Sequence, residues 1–151
     1  MAFEQLKLEN QICFPIYALH RLITQEYTQY LSKFNITYPQ YLVLMVLWEK
    51  NNLSISQIGK KLLLNSNTLT PLLKRMEVLD LVSRVRSSND ERKVFISLTQ
   101  KAKDIEDEAS AIPYSLLEGI GCDGLDMKDF IDMKENLNLL IKKLENKKTT
   151  T

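Results

Sequence analysis

Apolar positions recur near every 3.6 residues from Leu6 to about Phe34. Ile12, Ile16, Leu19, Leu22, Ile23, Tyr30 and Leu31 carry the pattern, which is the period of a helix with one buried face. Pro15 interrupts it. Proline suits the first helical position and harms an interior. Either the main helix begins at Pro15, with Cys13 just before it, or a longer helix kinks there. Asn35 ends the segment, and Thr37-Tyr38-Pro39 opens a second helix reaching about Lys50. Its stretch from Tyr41 to Trp48 is apolar on nearly every side, so it is predicted to be the central buried helix.

The pattern then shortens. Ser54 caps a helix over 55–62, and Asn65 or Ser66 caps another reaching about Leu79, with Pro71 inside it. Two helices joined by a tight turn, the second rich in small polar residues at its start, form a helix-turn-helix layout. Residues 81–85 and 93–98 read as strands, the latter alternating as Val94, Ile96 and Leu98. The polar run 86–92 fits the tip of a hairpin, a wing. Thr99 caps a helix to about Ala111, Pro113 begins or bends a segment to Gly119, and residues 121–124 break the chain. A last amphipathic helix starts at Leu125 or Asp126 and runs through Leu144.

The fold class expected is mainly α with a small β-hairpin. A winged helix-turn-helix occupies 37–111, and the helices of both termini, 1–36 and 112–146, build a helical dimerisation domain. Their apolar stripes need a shared partner, and readers of this layout usually act as two-fold dimers. Residues 147–151 read as a disordered tail.

Composition narrows the class. The chain has 151 residues, 44% hydrophobic and 26% charged, with four Gly and four Pro, which suits one ordinary globular domain. Two cysteines do not make a disulfide scaffold. Residues 1–10 show no signal peptide, and the longest apolar run, eight residues, is too short to span a bilayer. A cytoplasmic protein without membrane contact is therefore expected, its thiols normally reduced.

The net charge of +1 is unevenly spread. Residues 54–101 hold nine basic and four acidic side chains, and residues 102–151 hold seven basic and eleven acidic. A basic middle is the footprint of a polyanion-binding surface, or more plainly a solvated basic face. The predicted second helix of the pair favours the first reading. Ser66, Asn67, Thr68 and Thr70 stand in its first turns, where they can meet base edges or phosphates, and Lys74 and Arg75 follow one turn on. In the wing, Arg86 and Arg92 are candidates for a narrow minor groove. Asp90 between them would orient a nearby arginine. Double-stranded DNA is the partner these residues imply.

A second constellation lies near the N-terminus. Cys13 and Tyr17 are one helical turn apart and can touch. Tyr27 is 14 residues beyond Cys13, about 21 Å along one helix, so only a second, antiparallel copy could bring it back, with Tyr38 following. Phenols can donate hydrogen bonds to a thiolate. The plainer reading is that the tyrosines pack and the thiol is inert. Cys122, flanked by Gly121 and Gly124, is the one other thiol and could convert an oxidised Cys13 to a disulfide, or be a silent loop cysteine. His20 has no ligand set around it, so neither metal nor cofactor is expected. No phosphate loop, nucleophile elbow or carboxylate pair argues for an enzyme.

Three segments together resemble the MarR-type winged-helix regulators, and more narrowly their organic-hydroperoxide sensors (OhrR-like). They are Leu8-Glu9-Asn10-Gln11-Ile12-Cys13-Phe14 with Tyr17, residues 35–42, and residues 69–77 with Asp90-Glu91-Arg92. The resemblance spans most of residues 6–122. It implies that Cys13 is the peroxide-reacting thiol and that Tyr17, with Tyr27 and Tyr38 of the other subunit, bonds its thiolate. Residues 112–122 are similar to the two-cysteine branch, where a C-terminal thiol of the other subunit closes a disulfide. The implied function is a homodimeric repressor that leaves a pseudo-palindromic operator when an organic hydroperoxide oxidises Cys13. The alternative is a regulator of the same fold released by a small aromatic or lipophilic ligand.

Overall fold

A computed structural model describes residues 3–90, 93–121 and 124–148. The chain divides into two compact units, Met1–Pro113 and Tyr114–Thr151.

The first unit opens with two short 3-10 turns, Glu4–Leu6 and Leu8–Asn10, before helix α1, Cys13–Leu31. The helical period read back to Leu6 is thus interrupted. Cys13 is the first residue of α1, and neither arrangement expected around Pro15 holds. Pro15 is the third residue of α1. The first turn of a helix has no use for its N–H groups, so this proline costs α1 no hydrogen bond and does not mark its start. A further 3-10 turn, Ser32–Phe34, leads to Asn35, whose φ of 54° is left-handed, a conformation that asparagine tolerates.

Helix α2, Tyr38–Glu49, is locked at its start by the Thr37 N–H donating to Gln40 Oε1 at 2.8 Å. It buries Tyr41, Val43, Leu44, Val46 and Leu47 and is the core helix its composition predicts. Around it pack α3, Ile55–Leu62, and α4, Ser66–Val78, through Ile58, Leu69, Leu73 and Met76, all fully buried. The reciprocal Ser54–Gln57 cap starts α3. The Asn65 side chain starts α4 by accepting from the Thr68 N–H at 2.9 Å. Pro71 is the sixth residue of α4. It cannot donate to the carbonyl four residues back, and both it and Asn67 are exposed, where water can take that role.

The sheet is larger than the expected hairpin. Strands β2, Val82–Arg86, and β3, Val94–Leu98, pair antiparallel, with Val82 opposite Leu98 and Arg84 opposite Ile96. A third strand, β1, Leu53–Ser54, pairs on the other edge of β3, giving the order β1-β3-β2. The sheet's inner face buries Leu53, Val82, Ile96 and Leu98. Helix α5, Gln100–Ala109, follows, capped by Thr99 Oγ1. It is tied to α2 where Trp48 Nε1 donates to the Ala102 carbonyl at 3.0 Å.

Helix α6, Ile112–Ile120, leads into the second unit, which also holds α7, Met127–Lys148. Asp126 and Asp129 cap α7 reciprocally, each backbone N–H donating to the other's carboxylate at 2.9 Å. Residues 147 and 148, expected in a disordered tail, are helical; residues 149–151 lie outside the described residues. Helix α7 leaves Ile131, Met133, Leu139, Leu140, Ile141 and Leu144 exposed. Among the described residues no helix is long and apolar enough to cross a membrane.

Candidate functional site

The α3–turn–α4 pair presents one polar surface. Ser66, Asn67, Thr68, Lys74 and Arg75 are exposed, and Thr70 is half-buried beside them. The arrangement follows from helical spacing: Leu69, Leu73 and Met76 turn into the core, so the positions between them face outward. The start of α4 also leaves unpaired N–H groups toward any anion placed there.

Ser66 and Thr70 share a cleft of about 560 Å³ with Ser54, Ser56, Gln57, Lys93 and Phe95. Sequence reasoning misses Ser54, Ser56, Gln57, Lys93 and Phe95 as site residues. By pattern Ser54 is only a cap and Lys93 only a charge. Lys93 and Phe95 stand beside Ser54 because β1 pairs with β3, Ser54 opposite Phe95, a contact between chain segments over 40 residues apart.

Arg86 ends β2 and is exposed. Arg92 lies outside the described residues. Asp90, expected to orient an arginine, has its carboxylate 3.7 Å from Lys93 Nζ. The turn closes with the Lys93 N–H donating to the Asp90 carbonyl, which places the two side chains together.

The thiol site falls in two places within one chain. Cys13 is exposed and free. Around it Ile12, Phe14, Ile16 and Tyr17 are exposed as well, so the first turns of α1 offer an apolar surface around a thiol. Tyr17 is engaged by Arg21, whose Nη1 donates to the Tyr17 hydroxyl at 3.4 Å and whose guanidinium lies 5.9 Å from the ring centre.

Tyr27 and Tyr38 lie together with ring centres 4.6 Å apart, and Tyr41 is 5.7 Å from Tyr27. Burial raises the Tyr27 pKa to about 12, with Tyr38 and Tyr41 adding to it. Burial raises Tyr38 and Tyr41 too. All three are neutral hydrogen-bond donors across physiological pH. The chain thus brings Tyr27 to Tyr38, and Tyr17 near Cys13, but its own α1 holds the two groups about 21 Å apart. Cys122 lies outside the described residues. His20 is exposed on α1. Among the described residues no three His, Cys, Asp or Glu side chains are grouped to hold a metal ion.

A second cleft, of about 490 Å³, is lined by Asn35, Thr37, Gln40, Lys74, Arg75, Val78 and Leu79. It joins the start of α2 to the C-terminal half of α4.

A family model described as transcriptional regulator SarA/Rot matches residues 25–109. The organic hydroperoxide resistance transcriptional regulator of Bacillus subtilis (strain 168) is 45% identical over 145 residues, covering 96% of this chain and 97% of that protein. Among solved structures, reduced AbfR bound to DNA is 40% identical with a TM-score of 0.72, covering 92% of this chain and 98% of that one. Disulfide-formed AbfR is 39% identical with a TM-score of 0.60, covering 91% and 95%; AbfR is a protein of Staphylococcus epidermidis. Likeness of that extent, over the reader and the thiol-bearing helix alike, places the chain in the MarR-type winged-helix transcriptional regulators, within their organic-hydroperoxide-resistance (OhrR-like) branch.

Proposed function

We propose that this chain is a peroxide-sensing repressor that binds a pseudo-palindromic operator as a reduced homodimer in the cytoplasm and releases it when Cys13 is oxidised. The observation that carries the reading is an exposed thiol on the apolar start of α1, in a chain that also carries a winged helix-turn-helix. Residues 37–111 are the DNA-reading part. Helix α1 and the helices after residue 111 supply the dimer contact, for which their exposed leucines and isoleucines are suited.

On DNA, α4 enters the major groove with Ser66, Asn67, Thr68 and Thr70 at the bases. Lys74 and Arg75 neutralise phosphates, and Arg86 and Arg92 approach the minor groove. In the sensor, a second copy running antiparallel brings its Tyr27 and Tyr38 to Cys13, while Tyr17 contacts the thiol from its own helix. The Cys13 sulfur attacks a hydroperoxide oxygen. The O–O bond breaks, an alcohol leaves, and the sulfur becomes a sulfenic acid. The Cys122 thiol of a second copy then attacks that sulfur. An S–S bond forms and water leaves. The covalent change at the dimer contact shifts the spacing of the two readers.

Replacing Cys13 by Ser is expected to leave operator binding intact and to abolish release by organic hydroperoxide in an electrophoretic shift assay. A Cys13→Ser protein that still dissociates on peroxide refutes the sensor assignment. Non-reducing electrophoresis after peroxide should show a covalent dimer that is lost in Cys122→Ser.

The cleft between α2 and α4 favours a second reading, release by a small aromatic or lipophilic anion. Lys74 and Arg75 line it, and an anion seated there would withdraw both from DNA. A thermal shift with an aromatic carboxylate, and none with peroxide, would select that reading.

A further inference from the structure

Strand alternation places Val82, Arg84 and Arg86 on one face of β2. Val82 is buried and Arg84 stands opposite fully buried Ile96, so that face is the sheet's inner one at Arg84. The side chain of Arg84 is only 19% exposed, and its Nη1 meets Glu77 Oε2 at 3.2 Å. Among the described residues its buried Nε has no partner. Glu77 stands in the last turn of α4. Two further bonds hold the same end of the helix: Thr99 Oγ1 donates to the Asp80 carbonyl at 2.7 Å and Lys101 Nζ to the Leu79 carbonyl at 2.8 Å. Both come from the α5 end of β3. Among the described residues, Arg84 is the side chain that reaches from β2 to α4 by an ion pair.

We propose that Arg84 is a positioning residue which, through Glu77, sets the angle between α4 and the β2–β3 hairpin and so lets both meet DNA at once. The inference rests on the reading of α4 and the hairpin as the two DNA-contacting elements. The side chain is largely buried and its head is held by Glu77, which favours a role through α4 over a contact of its own with DNA. A planar fork suits this position better than an ammonium, because the stem packs along the sheet while the head reaches a carboxylate. DNA contacts by α4 fix where the helix lies, and contacts by the hairpin tip fix where the wing lies. A protein whose two elements are not held together must order them on binding and loses affinity accordingly.

The test uses the reduced, full-length dimer and a duplex selected from a random-sequence pool by the wild-type protein. Arg84→Met is expected to weaken binding about tenfold, the scale of one charged hydrogen bond. The slope of log Kd against log salt should stay unchanged, because no phosphate contact is lost. Arg84→Lys should fall between, and Glu77→Arg with Arg84→Glu should recover most of what Arg84→Glu alone loses. In the DNA-free protein, amide exchange in β2 and β3 should rise in Arg84→Met while exchange in α2 does not. A salt slope smaller by about one would make Arg84 a phosphate contact and overturn the proposal. So would a charge swap no better than Arg84→Glu, or hairpin exchange that does not change. If Arg84→Met fails to fold, Arg84→Lys and the swap carry the same comparison. A wild-type protein that selects no duplex overturns the DNA reading instead, and the exchange experiment still decides the clamp.

Discussion

Gly59 tests how closely α3 approaches the turn before α4. A Cβ built at Gly59 meets the Leu64 carbonyl oxygen at 2.6 Å, and Leu69 Cδ2 at 3.7 Å. The oxygen is backbone, and it cannot swing aside as a side-chain tip would. The Leu64 N–H also donates to the Gly59 carbonyl at 2.9 Å, so the two residues hold each other. Ordinary contact begins at 3.4 Å, and Gly59→Ala must open the turn by most of an ångström. Two effects of opposite sign compete. Alanine gains about 1 kcal/mol over glycine inside a helix, while overpacking of a tight contact costs about 1–3 kcal/mol or more. The clash should win, because Leu69 behind it is fully buried. The difference is a net loss of up to about 2 kcal/mol, which lowers Tm by as much as roughly 4–8 °C in a chain of this size. Operator affinity at 25 °C should fall further than that stability loss implies, because opening the turn tilts α4. Thermal melts at fixed protomer concentration and fluorescence anisotropy measure the two quantities. A Gly59→Ala variant as stable as wild type, with unchanged affinity, would show that helix propensity outweighs the contact and that the turn has slack.

Tyr27→Phe should flatten the alkaline limb of the stability profile. The folded-state pKa of Tyr27 is raised to about 12, so the unfolded chain ionises first. Stability is intact below about pH 10 and falls as pH climbs toward 12, by less than about 2 kcal/mol for this group after solvent screening. Urea titrations at pH 8 and 11 with equal losses in both proteins would contradict this. Asp80→Gly should stabilise the protein by about 0.5 kcal/mol, since Asp80 sits at φ 55° after α4, where glycine carries no steric penalty; a lower denaturation midpoint would refute it. Trp48→Phe removes the donor to the Ala102 carbonyl and should cost about 1–3 kcal/mol by leaving that part-buried acceptor unmet, read in the same titrations.

The helix pair and its caps are legible in the sequence because short-range chemistry sets them. Ser54, Asn65 and Thr99 each accept from the backbone three residues on, and such signals survive any tertiary context. The core helix α2 is legible because an apolar run of that length cannot be solvated. What escapes depends on pairing across the chain. Two residues are too few to show strand alternation, so β1 is invisible until β3 is there to receive it. Arg84 reads as one more cation of a basic middle, because nothing local says that its strand face turns toward α4. The Tyr27–Tyr38 contact depends on how α1 folds back on α2 through the left-handed Asn35, which spacing along α1 cannot supply. The start of α1 is misplaced for a different reason: a proline within the first turn is silent in hydrogen bonding, so it marks no boundary.

These details also bound how hard the switch must work. Helix α4 lies between two non-glycine residues in left-handed backbone, Leu63 at φ 55° and Asp80 at φ 55°; the first costs about 1–2 kcal/mol to hold, and the second less because aspartate tolerates this region. The inner face of α4 is fixed by buried Leu69, Leu73 and Met76, and its ends by the Gly59–Leu64 approach on one side and Glu77, Leu79 and Asp80 on the other. A hundredfold loss of operator affinity is about 2.8 kcal/mol, the worth of one or two such contacts shared over two subunits. A loss of affinity on that scale therefore needs only contacts at the ends of α4 to change, with Leu69, Leu73 and Met76 left in place. Helix α1 packs on α2 through Tyr27, and α2 is bonded to α5 through Trp48. Helix α5 in turn holds the end of α4 through Lys101, so α1, α2, α5 and α4 form one connected series of contacts.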